Sequence, residues 1–327
     1  MKELLGLLLI ITALHLFGCG TRAVKSTDGN KPLTSRDSTV NSTNIESLGN
    51  IHSTVIPRLE IPQTTSQDLI ISHTGYTFLY SEQYEQAKWV AYELTSEETR
   101  KTNERTNKFI VDTKVKTGSA NDRDYAGSGY DKGHLAPAGD MSWSATTMSE
   151  SFYYSNMSPQ FPGFNRGIWK RLEELVRTWA IENESVYVVT GPVLTEGLPT
   201  IGANKVSVPK FFYKVIFDYT ELELKGIGFI LPNKGSQDPL QTYAVTIDSV
   251  EQVTGLDFFP QLHDEQETTI ESTLTLQSWL WKSTSMGATN QKEITNSLVQ
   301  CKGLTKSGLR CKNKTRNESG YCYLNEH

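Results

Sequence analysis

Basic charge, thiols and long apolar runs are all scarce in this chain, and each shortage narrows what it can be. The 327 residues carry 32 Lys and Arg against 37 Asp and Glu, a formal net charge of −5. Bulk charge therefore offers no polyanion-binding surface, and any such surface has to be concentrated locally. Four cysteines occur, Cys19 near the start and Cys301, Cys311 and Cys322 near the end, so the stretch between them has neither disulfide nor thiol chemistry. The apolar run Leu4–Leu14 is too short, and too soon followed by polar sequence, for a transmembrane helix. No internal repeat is present, and strands and helices do not alternate in a βαβ rhythm, which speaks against a parallel doubly wound sheet.

Lys2 ahead of the apolar run marks residues 1–19 as a targeting signal. Leu16-Phe17-Gly18-Cys19 resembles a bacterial lipoprotein cleavage site, with Phe17 the less usual residue. Cleavage before Cys19 leaves its thiol free for a lipid and the membrane as a partner; an ordinary secretory signal with an incidental Cys19 is the alternative. Both place the mature chain outside the cytoplasm, lipid-anchored or secreted. Residues 20–58 are rich in Ser, Thr, Asn and Asp without apolar periodicity, a composition that buries too little to offset chain entropy and reads as a tether.

Residues 59–285 form the expected folded body, drawing on a chain that is 37% hydrophobic with six Trp and twelve Phe. Alternation predicts strands over 75–80 and 86–94, a polar connection over 95–108 and a short β-like piece at 108–112. Residues 148–153 suggest a short helix. Trp169, Leu172, Val176 and Trp179 recur at helical spacing and predict a helix over 165–180. Strands follow at 186–190, ended by Gly191-Pro192, and at 211–218 and 226–231; a helix begins at 247–251 with Asp248 or Ser249 as cap. The expected class is α+β, with a mixed, largely antiparallel sheet.

The chemistry-bearing stretch is Asp131-Lys132-Gly133-His134-Leu135-Ala136-Pro137-Ala138, followed by Ser155-Asn156-Met157-Ser158-Pro159-Gln160 and then Asn165, Trp169, Leu172 and Glu173. Phosphodiester hydrolysis needs a base for water, a cation for the developing phosphorane charge and a hard metal on the leaving oxygen. His134 ionises near neutrality and can be the base. Lys132 is a cation beside it. Asn165 offers a hard amide oxygen suited to Mg²⁺, which keeps several waters; its other reading is an N-cap, compatible with a metal role if the carbonyl oxygen faces the site. Glu173 lies 80° around and roughly 12 Å along an ideal helix from Asn165, so the two converge only on a hydrated ion. Arg166, Lys170 and Arg177 form a basic stripe on which a nucleic-acid backbone could lie, or simply a solvated helix face. His52, His73 and His263 read as structural.

These ordered motifs, with Gly129-Tyr130 before them and Val189-Thr190-Gly191-Pro192 and Phe229-Ile230-Leu231-Pro232-Asn233 after, resemble the sugar-nonspecific DNA/RNA endonucleases, from about Tyr76 to Phe259. The resemblance implies a ββα-metal (His-Me finger) active site, DNA and RNA as substrates and Mg²⁺ or Mn²⁺ as cofactor. By position it implies His134 as general base, Asn165 as metal ligand, Glu173 as holder of the hydrated metal, Asn156 as a supporting active-site amide, and Arg166 and Lys170 as substrate contacts. The family's Asp-Arg-Gly-His motif here reads Asp131-Lys132-Gly133-His134, which keeps the charge and loses the bidentate fork. A surface lipoprotein that captures nucleic acid without cutting it is the competing reading, and a homodimer is an assembly to be considered.

Residues 286–300 read as a linker. In 301–327, Cys301, Cys311, Cys322 and His327 could hold a structural Zn²⁺, or two of the thiols a disulfide. This segment has six Lys and Arg against two Asp and Glu, a net +4, leaving −9 on the other 300 residues. That suggests an accessory nucleic-acid-binding or anchoring element.

Overall fold

The computed structural model describes residues 56–220, 223–281, 299–303 and 314–315. The chain divides into Met1–His52 and Ser53–His327, and all described residues belong to the second unit. The signal with Cys19, the tether up to residue 55, most of the linker, and Cys311, Cys322 and His327 lie outside the described residues.

In chain order the elements are β1 (Ile70–Ser72), β2 (Thr77–Ser81), β3 (Gln86–Thr95), α1 (Asp122–Tyr125), β4 (Asp131–His134), α2 (Ala145–Glu150), β5 (Met157–Gln160), α3 (Lys170–Glu182), β6 (Ser185–Pro192), β7 (Thr200–Ile201), β8 (Val206–Ser207), β9 (Phe211–Thr220), β10 (Glu223–Pro232), β11 (Ala244–Val245), α4 (Ile247–Thr254), α5 (Asp264–Ser272), β12 (Val299–Gln300) and β13 (Lys314–Thr315). Seven strands form one sheet in the order β1-β2-β3-β6-β9-β10-β11. Its pairings are all antiparallel, and the class is α+β, as the mixed patterning predicts. Among the described residues no helix is long and apolar enough to cross a membrane.

Both faces of the sheet are covered, and the period of two along its strands decides which side chain goes where. Val90 and Tyr92 of β3, with Phe212 and Ile216 of β9, join Leu172, Val176 and Trp179 of α3 in one core. Trp89, Ala91, Tyr213, Val215 and Phe217 point the other way and meet Ile247, Val250 and Ile270 from α4 and α5. Burial on both faces explains why β6 and β9 read as almost continuous apolar runs rather than alternating ones. The end of the body is fastened to α3: Trp179 donates from Nε1 to the Leu280 carbonyl at 2.8 Å and packs on Trp279 with ring centroids 4.4 Å apart.

Several expectations shift. The β-like piece at 108–112 reduces to one parallel bridge, Ile110 to Tyr153, because Asp112 is drawn into hydrogen bonds with His73, Ser155 and the Lys114 amide. The helix expected at 148–153 is α2, three residues earlier, where Ser144 caps the Thr147 amide. Thr246, not Asp248 or Ser249, caps α4. The strand of β6 runs on through Gly191-Pro192, paired with Tyr213 and Phe212; a Cβ at Gly191 would sit 2.4 Å from the Lys88 carbonyl. The helix expected from residue 165 opens as a wide turn over Phe164–Trp169, with Gly167 outside helical geometry, before α3. Asn165 is therefore not its N-cap. The helix α5 carried no sequence expectation.

Candidate active site

The hairpin of β4 and β5 and the helix that follows form the ββα unit. His134 pairs with Met157 at one end of the hairpin and Asp131 with Gln160 at the other. Gly133 is required by a side chain of the partner strand: a Cβ there would lie 2.1 Å from Gln160 Cδ. Asn156, fully buried, clasps the chain just after His134. Its Oδ1 accepts from the Ala136 amide at 2.8 Å, and its Nδ2 donates to the carbonyls of Ala136 and Ser151. These bonds all go to backbone, so Asn156 acts here as a positioning residue.

His134 is 7% exposed, edge-on to Phe152 at 4.8 Å and tilted on Phe109 at 5.8 Å. Burial, and then the charge of Arg105, push its pKa down to about 3, so the ring is neutral at physiological pH. Nε2 is enclosed without a hydrogen-bond partner. Lys132 shares the strand face of His134, two residues apart, with its Nζ 4.1 Å above the Phe109 ring. That ammonium is already held by Asp122 Oδ1 at 2.5 Å, so the cation next to the base is partly committed within the protein.

Arg105 is a charged neighbour of the site that sequence reasoning missed. It comes from the polar connection after β3, is exposed, and its guanidinium lies 4.9 Å over the Phe152 ring that abuts His134. Its charge acts on both His134 and Glu173. One basic residue among Arg100, Lys101 and Lys108 gives no local signal, and only its position in the fold distinguishes it.

Asn165 is oriented by Asp131, whose Oδ2 accepts from its Nδ2 at 2.9 Å. The amide oxygen is thereby left as the outward acceptor, which suits a hard cation. Arg166 forks onto the same carboxylate, Nε at 2.8 Å and Nη2 at 2.5 Å. Lys170 lies 3.7 Å from Glu174. Both are exposed. Arg177 does not continue their stripe: it turns inward to Asp140 at 2.6 Å, under Gly139, because it lies on the flank of α3 toward the core. Glu173 is half-buried. Burial raises its pKa to about 7 against the opposing pull of Lys214, Arg177 and Arg105, with Asp140 adding to the rise. Asn165 and Glu173 thus offer an amide oxygen and a carboxylate on one wide-opened helix, a donor set that fits a hydrated Mg²⁺.

Beyond Asp131 the site continues into a groove of about 290 Å³. Tyr130 and Phe161 lie along it with ring centroids 4.8 Å apart, and Phe161 is 46% exposed. Lys210 and Lys234 border it, both exposed and outside any ion pair among the described residues. Asn233 ties the walls together through the Phe161 amide and the carbonyls of Pro159 and Pro209. Of the expected zinc ligands only Cys301 is described. It is buried and accepts from the Gly303 amide at 3.3 Å, beside the small hairpin of β12 and β13.

His73, read as structural, is so: its Nε2 is 2.8 Å from Asp112, and its ring stacks on Tyr153.

The profile of the DNA/RNA non-specific endonucleases matches residues 53–265. The mitochondrial nuclease EXOG of Danio rerio is 34% identical over 231 residues, 65% of this chain and 66% of that protein. Human mitochondrial endonuclease G is 34% identical over 208 residues, 58% of this chain and 69% of its own length. Nuclease C1 of Cunninghamella echinulata var. echinulata is 41% identical over 155 residues, 42% of this chain and 60% of that protein. The chain thus spans about two thirds of the length of these relatives. Among solved structures, that of endonuclease G with its inhibitor EndoGI superposes with a TM-score of 0.57 at 34% identity, covering 61% of this chain and 89% of that one.

Proposed function

We infer, because the chain belongs to the DNA/RNA non-specific endonuclease family, that its ββα unit hydrolyses phosphodiester bonds of DNA and RNA with the help of Mg²⁺. The observation that carries this reading is that one short strand bears both a neutral, buried His134 and the Asp131 that orients Asn165. Neither is needed for binding alone.

Nε2 of His134 is enclosed, which leaves Nδ1 as the nitrogen that takes a proton from water. Asn156 and the Phe152 edge hold the ring in place for that transfer. Asn165 would hold the metal through Oδ1, and Glu173 would hold its hydration shell. When bound, Mg²⁺ neutralises charge on the phosphorane and the departing 3′-oxygen. Arg105 and Lys132 add positive charge at the same place. Products carry 5′-phosphates, and since water attacks, no 2′-hydroxyl is required. The substrate strand passes Asp131 toward the groove, where exposed aromatic rings and lysines suit unpaired bases and phosphates. The signal-like segment ending at Cys19 supports an extracytoplasmic, lipid-anchored enzyme.

The test is degradation of plasmid DNA and of RNA by the purified chain, with Mg²⁺ and with EDTA, beside His134→Ala. Metal-dependent cleavage of both, reduced at least a thousandfold in the variant, is expected. A folded wild type that binds nucleic acid and cuts neither would leave the capture reading in its place.

A further inference from the structure

Five carboxylates meet on the face of the sheet away from α3. Asp248 and Glu251 stand one turn apart on α4, Glu267 and Glu271 one turn apart on α5, and Asp257 comes from the connection between the helices. Ligand oxygens of Asp248, Glu251 and Glu271 lie within 4.8 Å of one another, and so do those of Asp257, Glu267 and Glu271. Glu271 belongs to both groups. It is 8% exposed, and its Oε1 is buried without a hydrogen-bond partner. It shares a side-chain hydrogen bond with Glu251, which itself accepts from the Phe258 amide at 2.8 Å.

Ionised carboxylates this close repel, and among the described residues no cation offsets them. The charged groups acting on Glu251, Glu267 and Glu271 are all carboxylates. Burial, and then Glu251, Glu267, Asp248 and Asp257, push Glu271 up to about 9. A buried acid with an unused oxygen and only acids around it is costly as it stands. A cation at the common point of the two groups removes the repulsion and satisfies Oε1 together.

We propose that Asp248, Glu251, Asp257, Glu267 and Glu271 form a Ca²⁺ site that ties α4 to α5. Ca²⁺ takes six to eight oxygens in flexible geometry, with carboxylates binding through one or both oxygens, whereas Mg²⁺ demands a near-ideal octahedron and keeps its waters. Five carboxylates from two helices and a loop suit the larger ion. The site is separate from the ββα unit, since α4 and α5 pack in one core and α3 in the other.

The proposal is tested by equilibrium dialysis of the full chain against Ca²⁺ and by thermal unfolding in EDTA and in Ca²⁺. The Asn165→Ala background removes the metal ligand of the ββα unit. At least one bound equivalent and a rise in Tm with Ca²⁺ are expected. Glu271→Gln should leave Tm in EDTA nearly unchanged, because the raised pKa of about 9 keeps Glu271 protonated without metal, and should weaken Ca²⁺ binding tenfold or more. Should that variant not fold, Asp248→Asn with Asp257→Asn, both exposed, serves the same comparison. A chain that binds no Ca²⁺, or carboxylate variants that bind it undiminished, would overturn the proposal. Binding is read without reference to cleavage, so the outcome is independent of the nuclease reading.

Discussion

Lys214 of β9 is 1% exposed, its Nζ has no hydrogen-bond partner, and it stands 4.8 Å over the Trp169 ring. Glu173 follows Trp169 by one helical turn, so the ammonium faces the same side of α3 as this carboxylate. Each pulls the other toward its charged form. Burial holds Lys214 down to about 8 and Glu173 up to about 7. Removing the cation must raise Glu173 further, so that more of it is protonated at neutral pH. Lys214→Met is therefore expected to cut kcat about tenfold at pH 7, the loss shrinking as pH rises toward 9. A pH–rate profile that merely drops in parallel at every pH would rule out action through Glu173. Asn156 is a different kind of residue, acting through backbone. Asn156→Ala strands the Ala136 amide and two carbonyls, at a cost of about 3 kcal/mol, or roughly 6–12 °C in Tm. Asn156→Asp keeps the acceptor but sets a buried carboxylate oxygen against two carbonyls and should cost at least as much. Equal Tm for all three chains would remove Asn156 from the support of His134.

The hairpin of β4 and β5 shows why much of the site was legible before the structure. Gly133, His134, Asn156 and Asn165 are brought together by two short strands and one turn, so their order and spacing already encode their geometry. Lys214 and Arg105 were not legible, because each reaches the site from an element distant along the chain, through a strand pairing or a loop path that no local pattern announces. The helix α5 escaped for another reason: its residues Asp264–Ser272 are mostly polar and bury only Ile270 and Glu271, too narrow a stripe for periodicity to show. Misplaced boundaries, as at α2 and α4, trace to capping by Ser144 and Thr246. The hairpin itself carries a steric test. Gly133→Ala drives a Cβ into the Gln160 side chain and should lower activity at least a hundredfold with a clear loss of Tm. Gln160→Ala in the same chain opens that space and should restore much of both. A double variant no better than Gly133→Ala would mean that the glycine is needed for some other reason.

For the whole molecule the question is how a chain of net charge −5 holds a polyanion. Exposed cations at the ββα unit are largely spent inside the protein: Arg166 on Asp131, Lys132 on Asp122, Lys170 near Glu174. Lys210 and Lys234, on the rim of the groove, are free to meet phosphate. Few free cations mean few displaced counterions, and hence a shallow dependence of affinity on salt. With His134→Ala to prevent cutting, the slope of log K against log salt for a short single-stranded DNA should be small. Lys210→Ala with Lys234→Ala should flatten it further by about 1 to 1.5, since each phosphate contact on single strands contributes roughly 0.7. Affinity should drop several-fold, while kcat on saturating substrate should change less than twofold. Both lysines lie beyond Asp131, several residues from His134 along the hairpin. A slope unchanged by their loss would place the strand elsewhere. The basic segment from Cys301 onward, net +4, would then be the next surface to remove, and its loss rather than that of the groove lysines should flatten the salt dependence.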